Sequence, residues 1–256
     1  MSDFDRNVAA RRGIGAGQAA TIDAGLRAYM IRIYNYMAAG VGLTGVVAYL
    51  TYQAAGGDAI EVAGGQISGL TDFGRAIFGG PLMIVLFIGT LGMVFFLSFR
   101  INKLQVGTAL TLFMVYAGLL GLMLSSVLLT YTQASIARTF FISAASFGAL
   151  SLYGYTTQRD LSPIGSFLVM GLFGLILAMV VNIFLKSSGL DFAISAIGVL
   201  IFAGLTAWDT QKIKEMYDVN DDGTVAGRKA VMGALTLYLD FINLFLFMLR
   251  FMGNRR

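Results

Sequence analysis

Seven stretches of mostly apolar residues run through this chain, at roughly 33–52, 80–99, 106–129, 136–156, 164–186, 192–212 and 232–251. Each reaches the length, about 20 residues, that a helix needs to cross the hydrocarbon core of a bilayer. Together they cover most of the 256 residues, so one membrane domain accounts for the chain and no separate soluble domain remains. None reads as ten-residue runs of alternating polarity, which sets a β-barrel aside. The expected fold class is an all-α membrane protein, a seven-transmembrane helix bundle surrounded by lipid.

Composition supports that reading and narrows the chemistry. Charged residues make up 12% of the chain, half the share of about 25% usual in soluble domains. There is no His and no Cys. Imidazole bases, thiol nucleophiles, disulfides and His or Cys metal sites are therefore excluded. No Walker Gly-Lys-Ser/Thr motif occurs either. We expect no enzyme and no bound cofactor. The formal charge of +4 resolves into local clusters that orient a membrane protein, so no nucleic-acid partner is expected.

Residues 1–26 read as a polar N-terminal head, partly disordered and loose up to about Ala20, and residues 27–256 as the seven-helix membrane domain. The head lacks the features of a cleaved signal peptide. The longest interior connections are 53–79 and 213–231, both too short to be domains. Orientation follows from Lys and Arg. Arg6, Arg11, Arg12, Arg27, Arg32, Arg100, Lys103, Arg159, Lys212, Lys214, Arg228 and Lys229 fall on the N-terminal side. Arg75, Arg138, Lys186, Arg250, Arg255 and Arg256 fall on the other. Twelve against six places the N-terminus in the cytoplasm. A re-entrant last segment would move three of the six across. Its full length favours seven spans. Short loops and a compact chain suit a bacterial inner membrane.

Of fourteen acids, twelve lie in the head, the connections or the span edges. The other two, Asp209 in the sixth span and Asp240 in the seventh, lie within the spans. An ionisable group there costs about 2.5–3.5 kcal/mol on insertion scales and often marks an ion or proton path. The alternative is a structural polar contact with a neighbouring helix. With the sixth span running inward and the seventh outward, both acids fall in the cytoplasmic half. Thr236, Asp240 and Asn243 share one face of the last helix, and Arg250 lies close to it; Thr206, Asp209 and Thr210 share one face of the sixth. These stripes suggest a polar seam, or ordinary Thr and Asn bonding between helices.

Two carboxylates within hydrogen-bond reach titrate as a unit and can share one proton. Three uses are open. The pair can form a hard oxygen site at which Ca²⁺ binds transiently. With a nearby Arg it can form a pH-dependent latch. It can also activate water, as in aspartic proteases. Intramembrane aspartyl proteases place Gly-x-Gly-Asp on the seventh helix and Pro-Ala-Leu after it. Here Leu237-Tyr238-Leu239 precedes Asp240 and no Pro follows Pro163, which argues against proteolysis. The run Asp218-Val219-Asn220-Asp221-Asp222-Gly223 matches the start of an EF-hand loop, but position twelve is Lys229 instead of Glu. It reads as a solvated acidic turn. The Gly-rich run Ala38-Ala39-Gly40-Val41-Gly42 reads as helix packing.

Three stretches resemble the Bax inhibitor-1 family. They are Ser146-Phe147-Gly148-Ala149-Leu150-Ser151-Leu152-Tyr153-Gly154, Ala207-Trp208-Asp209-Thr210-Gln211-Lys212-Ile213 and Leu237-Tyr238-Leu239-Asp240-Phe241-Ile242-Asn243-Leu244-Phe245. The last is the most specific. The resemblance runs from about residue 27 to the end. It implies seven helices with the last packed centrally among the other six. It also implies a pH-sensitive calcium leak in which Asp209 and Asp240 form a hydrogen-bonded pair that senses protons and closes the pore. Calcium is then a permeant ion, and protons are the second small partner. Arg100 is the nearest match to an Arg that latches the first Asp in the closed state. Trp208 stands where the family often has Tyr, and residues 80–99 lack a further acid the pattern often carries. Ion entry that depends on that acid has no counterpart here. An alternative function is a non-conducting stress regulator that binds a membrane protease or another membrane protein, with residues 1–26 as the docking element.

Overall fold

The computed structural model describes residues 16–63 and 66–255. Helix α1 spans Ala16–Ala54. It is followed by a 3₁₀ turn at Gly57–Ala59 and a hairpin of two three-residue strands, β1 (Glu61–Ala63) and β2 (Gln66–Ser68), paired antiparallel with Glu61 opposite Ser68. A short helix α2 (Asp72–Phe78) leads into α3 (Leu82–Arg100). The remaining helices are α4 (Val106–Thr130), α5 (Gln133–Thr156), α6 (Ser162–Leu185), α7 (Ser188–Glu215) and α8 (Gly223–Met252). Seven of these helices are long and apolar enough to cross a membrane.

The ends are set by local chemistry. Thr132, Ser187 and Asp222 cap α5, α7 and α8 by accepting backbone N–H bonds in the first turn. Pro163 sits in the first turn of α6, where its missing N–H is harmless. Lys186 closes α6 in the left-handed region, at φ 49°.

Two expected boundaries move. The first span reaches back into the expected head, where helix α1 already begins at Ala16. The expectation for residues 1–15 lies outside the described residues. The last helix begins at Gly223 instead of near 232, so the connection before it shrinks to 216–222.

Helices α3 and α6 are peripheral: 11% and 6% of their most apolar windows are buried. Their exposed Phe, Ile and Leu side chains form the lipid-facing surface. Helix α8 is the most enclosed of the seven, with 67% of its window buried, and packs on α1, α4, α5 and α7. Its aromatic side chains interlock with theirs. Tyr238 meets Phe113 and Tyr116 edge-on at 5.4 and 6.0 Å, and Phe241 meets Phe147 edge-on at 5.6 Å.

The last helix crosses the whole bundle. Thr132 N donates to Asn254 O at 3.1 Å and Asn254 N donates to Ser135 Oγ at 2.9 Å. Tyr131 and Arg255 form a β-bridge. Arg250 pairs with Asp191 at the start of α7. These contacts tie the C-terminal residues to the α4–α5 and α6–α7 connections. The start of α1, by contrast, meets the α7–α8 turn, where Tyr29 and Tyr217 lie 5.6 Å apart. The two ends of the described chain therefore lie at opposite ends of the bundle.

Candidate functional site

Asp209 on α7 is half-buried, and Asp240 on α8 is 5% exposed. Their carboxyl groups lie within hydrogen-bond reach of each other. Among the described residues Asp240 Oδ2 has no hydrogen-bond partner. The positive charge that reaches Asp209 comes from Lys212, one turn along, whose Nζ lies 5.0 Å over the Trp208 ring.

Close packing fixes the stretch of α7 around Asp209. A Cβ on Gly154 of α5 would stand 2.1 Å from Ala207 O, and one on Gly165 of α6 would stand 2.1 Å from the Trp208 ring. Only glycine lets the α5 backbone come so close to Ala207 and the α6 backbone so close to the Trp208 ring. Gln211, fully buried, donates to Arg159 O at 2.7 Å and accepts from Leu161 N at 2.8 Å. It thereby satisfies backbone groups of the α5–α6 turn that have no helical partner.

The polar seam is not built as the spacing suggested. Thr206, Thr236 and Asn243 each donate to a carbonyl of their own helix four residues back, at Phe202, Met232 and Leu239. That local bond competes with interhelical pairing. Of the four residues expected to form the seam, Thr210 alone reaches another helix. Its hydroxyl donates to Thr206 O at 2.7 Å and so must accept from Ser151 Oγ at 2.9 Å; Ser151 in turn accepts from Tyr34 OH at 2.7 Å. The result is a directional chain of hydroxyls joining α1, α5 and α7, ending beside Asp209. A second junction joins α1, α4 and α8. Thr44 donates to Gly40 O and Ala117 O, both at 2.9 Å, which leaves Tyr238 to donate to Thr44 at 2.6 Å. Sequence reading missed Tyr34, Ser151, Thr44 and Tyr238 as polar links. A hydroxyl at an otherwise apolar helix position was the only signal available.

Arg100 ends α3, which packs on α4, and its side chain is exposed; no ion pair joins it to Asp209 or Asp240 among the described residues. Arg250 belongs to the far end, with Asp191, and not to the face of Asp240. In the acidic turn every carboxylate has a local task. Asp218 accepts from Asn220, Asp222 caps α8, and Asp221 pairs with Lys229 at 2.5 Å. Among the described residues no group of three acids is placed to hold a metal ion. Two carboxylates supply too few of the six to eight oxygens a resident Ca²⁺ takes.

A family model described as "Inhibitor of apoptosis-promoting Bax1" matches residues 26–256. An uncharacterized protein of Rickettsia prowazekii, RP147, is 52% identical over 92% of this chain and 93% of its own. Inner membrane protein YbhL of Escherichia coli K12 is 47% identical over 91% and 94%. An uncharacterized protein of Caulobacter vibrioides is 43% identical over the full length of both.

Proposed function

The chain belongs to the Bax inhibitor-1 family of multi-pass membrane proteins, and on that premise we propose that it is a pH-sensitive calcium leak gated by the Asp209–Asp240 pair. The observation that carries the reading is the enclosed Asp240 carboxyl facing Asp209 across the α7–α8 seam, with one oxygen unpartnered. Two carboxylates in contact hold one proton between them and act as a single titrating unit. With the proton in place the pair is a hydrogen-bonded tie between two helices. Without it, two like charges face each other and the tie becomes a repulsion. Packing at Gly154, Gly165 and Gln211 braces α7 from behind, so the change is felt at the seam with α8. Ca²⁺ meets two hard oxygens in passage and is cargo, not a resident ion. No catalysis by the chain itself enters this reading.

The E. coli relative is named an inner membrane protein, which supports the same membrane for this chain. The excess of Lys and Arg at the end where α1 begins supports a cytoplasmic N-terminus.

The test is calcium flux into vesicles holding the purified full-length protein and a calcium dye, at one acidic and one alkaline pH. The parent protein should leak calcium at a rate that differs between the two. Asp240→Asn keeps the size and a hydrogen-bonding group but has no proton to give up, so its flux should be flat with pH. An unchanged pH dependence in this variant would sink the gating mechanism. No flux from the folded parent would favour a non-conducting regulator that works by binding another membrane protein.

A further inference from the structure

Helices α1 and α5 both lean on α8 without packing closely on each other, which leaves a groove between them. Its wider part, a cleft of about 540 Å³, is lined by Arg27, Met30, Tyr34, Phe147, Gly148 and Leu152, among others. That volume is within the range of ligand sites. A second, separate cleft of about 340 Å³ lies further along α1, from Val41 to Tyr49, between α1, α4 and α5, with Phe241 and Phe245 of α8 against it. Arg27 and Tyr49 are about 33 Å apart along α1 at 1.5 Å per residue, close to the thickness of the hydrocarbon core.

We propose that this groove holds an anionic phospholipid, with its headgroup phosphate at Arg27 and an acyl chain along the α1–α5 cleft. Three observations commit the site to that occupant. The cleft opens sideways: Ile31 and Leu152 on its rim are 49% and 63% exposed on helices that span the bilayer. Two of its hydroxyls, those of Tyr34 and Ser151, are bonded to each other, and most of the remaining wall is hydrocarbon. Charge enters at the mouth, where Arg27 is exposed and has no ion pair among the described residues and Lys214 lies 5.8 Å over the ring of the lining residue Tyr155. An apolar slot with basic side chains at the headgroup end is complementary to a single lipid molecule with a negative head.

Native mass spectrometry of the full-length protein with phosphatidylglycerol or phosphatidylcholine of the same chain length tests this. The parent should hold phosphatidylglycerol in preference. Arg27→Gln should lower that affinity about fivefold, the weight of one basic side chain near an anionic surface, and leave phosphatidylcholine unchanged. A Cβ on Gly148 meets nothing within 4 Å, so Gly148→Leu fills the cleft and should weaken both lipids. Because the chain has no Cys, Gly148→Cys blocked with a bulky apolar maleimide after purification gives the same obstruction without asking the variant to fold around it. Equal binding of the two lipids by the parent overturns the proposal. So does loss of binding in Arg27→Gln with none from a blocked cleft, which would mean headgroup attraction at the surface alone.

Discussion

Removing the middle hydroxyl of the Tyr34–Ser151–Thr210 chain gives a sharp test of how α1, α5 and α7 are held together. Interhelical hydrogen bonds in membranes average about 0.6 kcal/mol. Ser151 makes two, at 2.7 and 2.9 Å, so Ser151→Ala should cost about 1.2 kcal/mol by that average. Tyr34→Phe removes one and should cost about 0.6 kcal/mol. The direction of the chain makes the pair non-additive. Tyr34 has Ser151 as its acceptor. Once that acceptor is gone, its hydroxyl faces the cleft and contributes nothing further. Tyr34→Phe should therefore be silent in the Ser151→Ala background, with a coupling of about 0.6 kcal/mol. The assay is equilibrium unfolding in mixed micelles of all four proteins, read as midpoint at constant slope. A double variant that loses the sum of the two single effects, about 1.8 kcal/mol, would show that the hydroxyls act independently and refute the chain.

Two further outcomes are expected. Gly154→Ala drives a methyl group into Ala207 O and should destabilise by about 1–3 kcal/mol, whereas Gly148→Ala, on the same helix but facing open space, should be neutral or gain up to about 1 kcal/mol of helix propensity. Thermal unfolding of the two compared with the parent decides. Single-cysteine variants Asn220→Cys and Asp72→Cys, both at exposed positions, should react on opposite sides of the membrane, Asp72→Cys with an impermeant reagent in intact cells and Asn220→Cys only after permeabilisation. Labelling from the same side would refute the seven crossings, and the reversed pattern would refute the charge-based orientation.

The seven spans were legible because hydrocarbon thickness imposes a length that hydropathy reads directly. The helix ends were less so. Asp23, Arg27 and Arg32 dilute the start of α1, and Arg228 and Lys229 the start of α8, although both stretches are helical and pack on the bundle. The hairpin and α2 sit in a connection where no long periodic pattern exists to reveal them. Asp209 and Asp240 stood out because charge is expensive in lipid, and the structure brings them together. Their neighbours did not, because spacing along one helix fixes a face but not what meets it. Asn243 shares a face with Asp240, yet it is bonded to its own backbone at Leu239. Ser151 lies 117 residues from Tyr34 and 59 from Thr210, and no local pattern links them. Arg100 carries the same lesson: its helix packs on α4 and its side chain is exposed, neither of which its place in the sequence reveals.

The helix most enclosed by the others is synthesised after the six spans it packs among. Phe113, Ala117 and Phe147 lie against Tyr238 and Phe241 or share their buried core, so until α8 leaves the ribosome those earlier helices wait in the bilayer with an unfilled slot. Lipid or one another must occupy it meanwhile. The closing contacts, Asn254 with Thr132 and Ser135, come from the final few residues. Packing of the earlier spans is therefore completed only after α8 has entered the bilayer, and a reporter placed beyond it would register packed molecules rather than nascent ones.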